Sequence, residues 1–179
     1  MPVGGSMLPM NMKPQNFGGL GVEKWEDYCG RIGLSGSRAY REFVRQVVYD
    51  HFNLHNSLYP EFDINDFEFE SIYLSVKEIK NSVRYFRNEQ VDWWGEQYEE
   101  FKETNYPYII FEKMSENKTP PFPPVIIQES TFSNNDGKAL GSPFHLVEGT
   151  HRVSYLLHMA KIGDIEWNST HEFIILKKV

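Results

Sequence analysis

Between positions 37 and 56, Tyr40, Phe43, Val44, Val47, Val48 and Phe52 recur at three- and four-residue spacing. That rhythm predicts a helix with one buried stripe. Ser35 or Ser37 is placed to cap its start, and Asn53, Asn56 and Pro60 close it. An acidic, aromatic loop is expected over 61–70 and a short strand over 72–74. Residues 88–103 are polar on one face and offer Trp93, Trp94, Tyr98 and Phe101 on the other, which predicts a second helix. The stretch 106–114 suits either a strand or a buried helical turn. Residues 117–124 carry four prolines and must be an extended connector.

The last third has a cleaner pattern. Residues 125–128 read as a buried strand, 134–137 (Asn-Asn-Asp-Gly) as a turn, and 144–147 as another strand. Residues 150–162 read as a helix with Val153, Leu156, Leu157 and Ala160 inward and Gly163 as its stop. Residues 173–176 read as a final strand. Strand, helix and strand in close succession predict a right-handed crossover unit. The fold class is therefore expected to be α+β, a small mixed sheet with flanking helices. Residues 1–20, rich in Gly, Pro, Met and Asn, read as a flexible arm, and 21–69 as a helical extension.

The 179 residues suffice for one domain with a genuine core, 40% of them hydrophobic. With 18 Lys+Arg against 25 Asp+Glu the net charge is -7, which argues against nucleic acid as a partner, because phosphate backbones attract clustered positive charge. No apolar run approaches the ~20 residues of a membrane span, and the N-terminus lacks the basic start and apolar core of a signal peptide. A cytoplasmic location, away from membranes, is expected. One cysteine, Cys29, excludes an internal disulfide framework.

Chemistry concentrates in 146–157, Leu-Val-Glu-Gly-Thr-His-Arg-Val-Ser-Tyr-Leu-Leu. An apolar strand runs into Glu148 and Gly149, and an amphipathic helix begins at once. Glycine lets the chain turn sharply and approach a ligand. The amides of Thr150, His151 and Arg152 then lack intrahelical partners and lie at the positive end of the helix dipole, a natural seat for phosphate. Thr150 adds a hydroxyl, His151 a titratable donor, and Arg152 a fork that clamps anions. Glu148 is placed to hold a metal or to take a proton from a nucleophile, and a carboxylate beside a phosphate implies a bridging magnesium. The same residues equally fit a structural role, with Glu148 complementing the dipole and His151 and Arg152 bonded within the protein.

Val147-Glu-Gly-Thr-His-Arg-Val153, followed by Tyr155-Leu-Leu157 and Gly163, resembles the Asp/Glu-Gly-His-His-Arg-type box of the ParB/sulfiredoxin-like superfamily. Residues 72–79 resemble that fold's opening segment, which leads to an arginine (Arg84 or Arg87), 123–129 the strand before the box, and 173–176 the strand after it. The resemblance spans 70–179. It implies a bacterial or phage nucleotide-binding domain in which Gly149, Thr150, His151 and Arg152 contact the phosphates of ATP, ADP or CTP. Glu148 would take the acidic, metal-holding and catalytic role beside His151. Sulfiredoxins need a cysteine where this chain has Thr150, which excludes their activity, and the acidic charge argues against a chromosome-partition role.

Other residues enter as lesser candidates. Glu78, Glu89 or Glu129 would supply a second carboxylate. His145, His158 and His171 lie near the box without zinc spacing. Trp93, Trp94 and Tyr98 would form a stacking platform, or pack a helix onto the sheet. Arg38, Arg41 and Arg45 form a basic face.

Three readings follow. The first is a magnesium-dependent hydrolase or phosphotransferase acting on a nucleoside phosphate. The second is a non-catalytic interaction protein (immunity protein, antitoxin or anti-defence factor) with a protein partner or a second copy. The third is a ParB-like nuclease.

Overall fold

The computed structural model describes residues 8–128 and 133–179. Seven α-helices surround a five-stranded mixed sheet among these residues, an α+β fold. In chain order the elements are α1 (Trp25–Ile32), α2 (Arg38–Phe43), α3 (Phe52–Leu58), β1 (Phe67–Ser75), α4 (Val76–Ser82) and β2 (Val83–Arg84). They continue with α5 (Asn88–Thr104), α6 (Ile109–Asn117), β3 (Val125–Gln128), β4 (Phe144–Glu148), α7 (Thr150–Ile162) and β5 (Thr170–Lys178).

The strand order is β1-β5-β3-β4-β2. β5 runs antiparallel to β1 and parallel to β3, and β3 runs antiparallel to β4. β4 and β5 are therefore antiparallel and separated by β3, so the expected crossover unit is absent. The apolar runs of β3 and β5 leave no polar face, and both faces of the sheet are covered. Val125, Ile127, Ile174 and Leu176 point to one core, built with Leu8, Tyr28, Phe43, Val44, Val48 and Phe52. Ile126, Phe173 and Ile175 point to the other, built with Leu146, Leu156, Met159 and Tyr98. The two-residue alternation of strand side chains makes this division automatic.

The N-terminal third is thus one of the two layers that bury the sheet rather than an appendage. The expected division at 69/70 falls inside β1. Residues 8–13, read as part of a free arm, are fixed: Leu8 is 1% exposed, the Tyr28 hydroxyl donates to the Met12 carbonyl, and Arg31 binds the carbonyls of Asn11 and Lys13.

The helix expected over 37–56 is interrupted. Ser37 caps α2 by accepting from the Tyr40 amide, but Val44–Tyr49 is a π-helical segment, with the Asp50 amide bonding back to Arg45 at 3.2 Å. The inserted residue turns Gln46 inward, where it is 6% exposed. The loop expected over 61–70 is half strand. Phe67 and Phe69 face the first core while Glu68 and Glu70 stay exposed, an alternation hidden by their acidity. The ambiguous 106–114 segment resolves into α6. The Asn134 turn forms, its Oδ1 accepting from the amides of Asp136 and Lys138. No helix among the described residues is long and apolar enough to cross a membrane.

Buried histidines give the fold a measurable weakness. His55 is 4% exposed among Phe43, Tyr59 and Phe62, with neither ring nitrogen bonded, and burial lowers its pKa to about 3. His145, fully buried, is lowered to about 4 by burial and by Lys138. Both stay neutral in the folded state while the unfolded chain protonates near pH 6.5. Stability is therefore full above pH 6.5 and falls as pH drops towards 4, by about 1.4 kcal/mol per pH unit for each histidine. Denaturant melts between pH 7 and 4.5 should show this decline. His55→Phe, which removes two unbonded buried nitrogens, should raise stability by about 1 kcal/mol at pH 7 and flatten the acid slope. An unchanged slope would contradict this assignment.

Candidate functional site

The chain leaves β4 through Glu148 and enters α7 through Gly149, whose φ of +110° lies in the left-handed region. A β-carbon there would lie 2.8 Å from Pro124 Cβ and 3.1 Å from Arg152 Nη2. Both the backbone angle and the packing against the proline connector therefore demand glycine. Gly149 is the N-cap of α7, and no side chain caps the helix. The first-turn amides of Thr150, His151 and Arg152 retain their donor capacity and the positive end of a 13-residue helix dipole.

A cavity of about 290 Å³ opens at this turn. Glu148, Gly149, His151 and Arg152 from the box line it, together with Gln46, Asp50 and His51 from the π segment and the turn after it, and with Tyr108, Ile110 and Phe122. Thr150 is half-buried and does not line the cavity; its carbonyl accepts from Ser154 Oγ at 2.6 Å. The expected contribution of its hydroxyl has no counterpart here, and only its amide remains relevant.

Arg152 differs most from expectation. Its side chain is 7% exposed. Nη1 donates to Gln46 Oε1 at 2.6 Å, to the Phe122 carbonyl at 3.0 Å and to the Pro123 carbonyl at 3.3 Å. Nη2 donates to Glu148 Oε1 at 3.4 Å. A guanidinium so committed does not clamp a guest anion. It ties α7 to the opposite helical layer and to the proline connector. Burial lowers its pKa, while Glu148 works in the other direction.

Glu148 keeps acceptor capacity. Its Oε1 meets Arg152 at 3.4 Å and its Oε2 lies 3.8 Å from His51 Nδ1. His51 Nδ1 also sits 2.7 Å from the Gln46 carbonyl, which can only accept, so Nδ1 carries the proton. Asp50 brings a second carboxylate. Desolvation raises its pKa, against the pull of Arg45 3.7 Å away. His151 is half-buried, its ring 3.8 Å from Trp94 and 5.4 Å from Tyr108. Burial and the neighbouring Arg152 lower its pKa to about 4, so it is neutral near pH 7 and offers a hydrogen bond rather than a charge.

Glu148 and Asp50 line the same cavity, and carboxylate oxygens are the ligands a hard divalent cation takes. Among the described residues no group of three or more His, Cys, Asp or Glu forms a self-sufficient metal site.

The lesser candidates are dispersed. Glu78 forms the capping box of α4 with Ser75, Glu89 is exposed at the start of α5, and Glu129 lies outside the described residues. Arg84 binds the carbonyls of Lys80 and Asn81, and Arg87 is exposed before α5. His145 bonds the Tyr59 hydroxyl, His158 pairs with Glu99 at 3.0 Å, and His171 lies between Thr119 and Ser169. These three do not meet. Trp94 and Tyr98 pack inside, with Tyr98 fully buried, and Trp93 is 51% exposed. Arg38 pairs with Glu172, and Arg45 lies over Trp25 and Tyr49, so the basic face is largely spent within the protein. A larger cavity, about 610 Å³, lies between α4, α5 and α7, where Lys80 and Lys161 face Asp92 and Glu96 and their charges cancel.

Sequence reasoning missed Gln46, Asp50, His51, Tyr108 and Phe122. The first three are delivered by the π segment, which no periodicity reveals. Phe122 alone carried a signal, as an aromatic residue set among four prolines.

Comparison with protein-family models, with curated proteins and with solved structures found no match.

The tie through Arg152 is directly testable. Arg152→Ala should destabilise the protein by about 2–4 kcal/mol, since it strands the buried Gln46 and the carbonyls of Phe122 and Pro123 and removes a partner of the half-buried Glu148. Gly149→Ala should cost about 2 kcal/mol from the positive φ alone. Chemical denaturation of both variants checks this, and an Arg152→Ala loss below about 1 kcal/mol would remove the structural assignment.

Proposed function

We propose that the cavity at the start of α7 binds a nucleoside di- or triphosphate together with magnesium, and that the protein hydrolyses this ligand or transfers its phosphoryl group. The observation that carries this reading is the uncapped first turn of α7, opening through Gly149 onto a cavity that also holds Glu148 and Asp50. The likeness of Val147–Val153 to the box of ParB/sulfiredoxin-like domains supports it from the sequence side.

Each group has a role consistent with its surroundings. The amides of Thr150 and His151 meet the phosphate oxygens and stabilise charge that develops on them. Neutral His151 adds a hydrogen bond, its ring held by Trp94. Glu148, with Asp50 on the same cavity lining, would hold magnesium, which when bound neutralises phosphate charge that the carboxylates would otherwise repel. The free capacity of Glu148 also suits it to accept a proton from an attacking water or hydroxyl. Arg152 acts only by positioning, through the carbonyls and side chains it binds.

A second reading draws on that same arginine. Because its donors are spent within the protein, the fold is equally consistent with a non-catalytic interaction protein that has kept the box as scaffold.

Calorimetric titration with ATP, ADP, CTP and GTP in magnesium separates the two. The nucleotide reading expects saturable binding, weakened about tenfold in His151→Gln with the melting temperature within about 4 °C of the parent, and phosphate release that falls at least a hundredfold in Glu148→Gln. Absence of binding for all four nucleotides would sink it. Binding without turnover would leave only a nucleotide-binding role.

A further inference from the structure

We propose that the cavity grips the ring of its nucleotide by stacking on Phe122 and Tyr108 and does not read the base, so that nucleoside phosphates are accepted whatever their base. This rests on the nucleotide reading above and specifies its substrate class.

Phe122 is 51% exposed, and among the described residues no other ring packs against it. An aromatic side chain left in water at the mouth of a cavity is a surface for something flat and apolar. Its backbone is held firmly. Arg152 Nη1 binds the carbonyls of Phe122 and of Pro123, and prolines at 120, 121, 123 and 124 fix φ on both sides. The ring is therefore presented in advance, and a ligand that stacks on it orders little that was free. Tyr108, half-buried and 5.4 Å from His151, lines the same cavity, as does Ile110.

Telling one base from another needs hydrogen-bonding groups left unpaired unless the right base arrives. The amide side chain on this lining, Gln46, has no such freedom. Its Oε1 accepts from Arg152 at 2.6 Å, and its Nε2 donates to the Pro123 carbonyl at 3.1 Å and to Glu42 at 3.3 Å. His51 and Glu148 lie 3.8 Å from each other beside Gly149, at the phosphate end. What remains for the base is the Phe122 ring, Ile110 and the ring of Tyr108, whose hydroxyl can donate or accept and so suits any base edge, and every base has a face that stacks. The volume of about 290 Å³ sits at the lower end of small-ligand sites, enough to seat a phosphate and to brace a ring at the mouth without enclosing it.

The test is a set of titrations of the full chain in magnesium with ATP, GTP, CTP and UTP, and with inorganic pyrophosphate as a ligand that has no ring. Expected are four nucleotide affinities within about fivefold of one another and each at least about tenfold tighter than pyrophosphate. Phe122→Ala should bring the nucleotides down to the pyrophosphate value while leaving pyrophosphate binding unchanged, and Phe122→Tyr should restore them. Two results overturn the inference while leaving the phosphate reading intact: one nucleotide bound thirtyfold or more tighter than the rest, or pyrophosphate binding as well as any nucleotide. If neither pyrophosphate nor any nucleotide binds, the phosphate reading falls and the inference falls with it.

Discussion

A positive charge buried at the junction of three segments organises this molecule. Arg152 rises from the first turn of α7 into a space 7% open to solvent and there meets Gln46 from one helical layer, the carbonyls of Phe122 and Pro123 from the connector, and Glu148 from the end of β4. Taking a guanidinium out of water is costly unless its donors find partners. The partners come from elements far apart in sequence, Gln46 being 106 residues away, so satisfying one side chain fixes the relative placement of both layers. Gly149, pressed on Pro124, closes the same junction from the backbone side.

The electrostatics of the cavity follow from that arrangement. With Arg152 consumed, its positive potential comes mainly from the start of α7, whose amides no side chain caps. Glu148 and Asp50 oppose it, and His151 is kept neutral by burial and by the arginine next to it. On the proposed nucleotide reading a bare phosphate would find a mixed reception in such a place, whereas a phosphate carrying a divalent cation would meet both the amides and the carboxylates. The same logic accounts for a protein with net charge -7 being read as a phosphate binder: the attraction is local and short-ranged, not a property of the whole surface.

Much of the last third could be read from the sequence because its elements are short, strongly apolar and punctuated by Gly149 and Gly163. The strands at 125 and 144, the helix at 150 and the turn at Asn134 all follow from local rules. What escaped were consequences of tertiary packing. The Glu68 and Glu70 alternation was hidden by acidity, and the order of β3 between β4 and β5 by its non-local pairing. The π insertion in the second helical segment leaves the buried stripe intact while moving Gln46, Asp50 and His51 to the cavity. The turn from strand through Gly149 into helix was legible, but the fate of Arg152 was not, because only the folded chain reveals that Gln46 and the proline connector reach it first.

The central claim is that the backbone hydrogens at the start of α7 receive phosphate. Amide-resolved NMR of nitrogen-15-labelled protein, titrated with magnesium pyrophosphate, addresses it without assuming any turnover. Saturable downfield shifts of the Thr150 and His151 amides, with smaller changes at His51 and Phe122, are the result expected from this structure. Shifts confined to other surfaces, with those two amides unmoved at saturation, would contradict it.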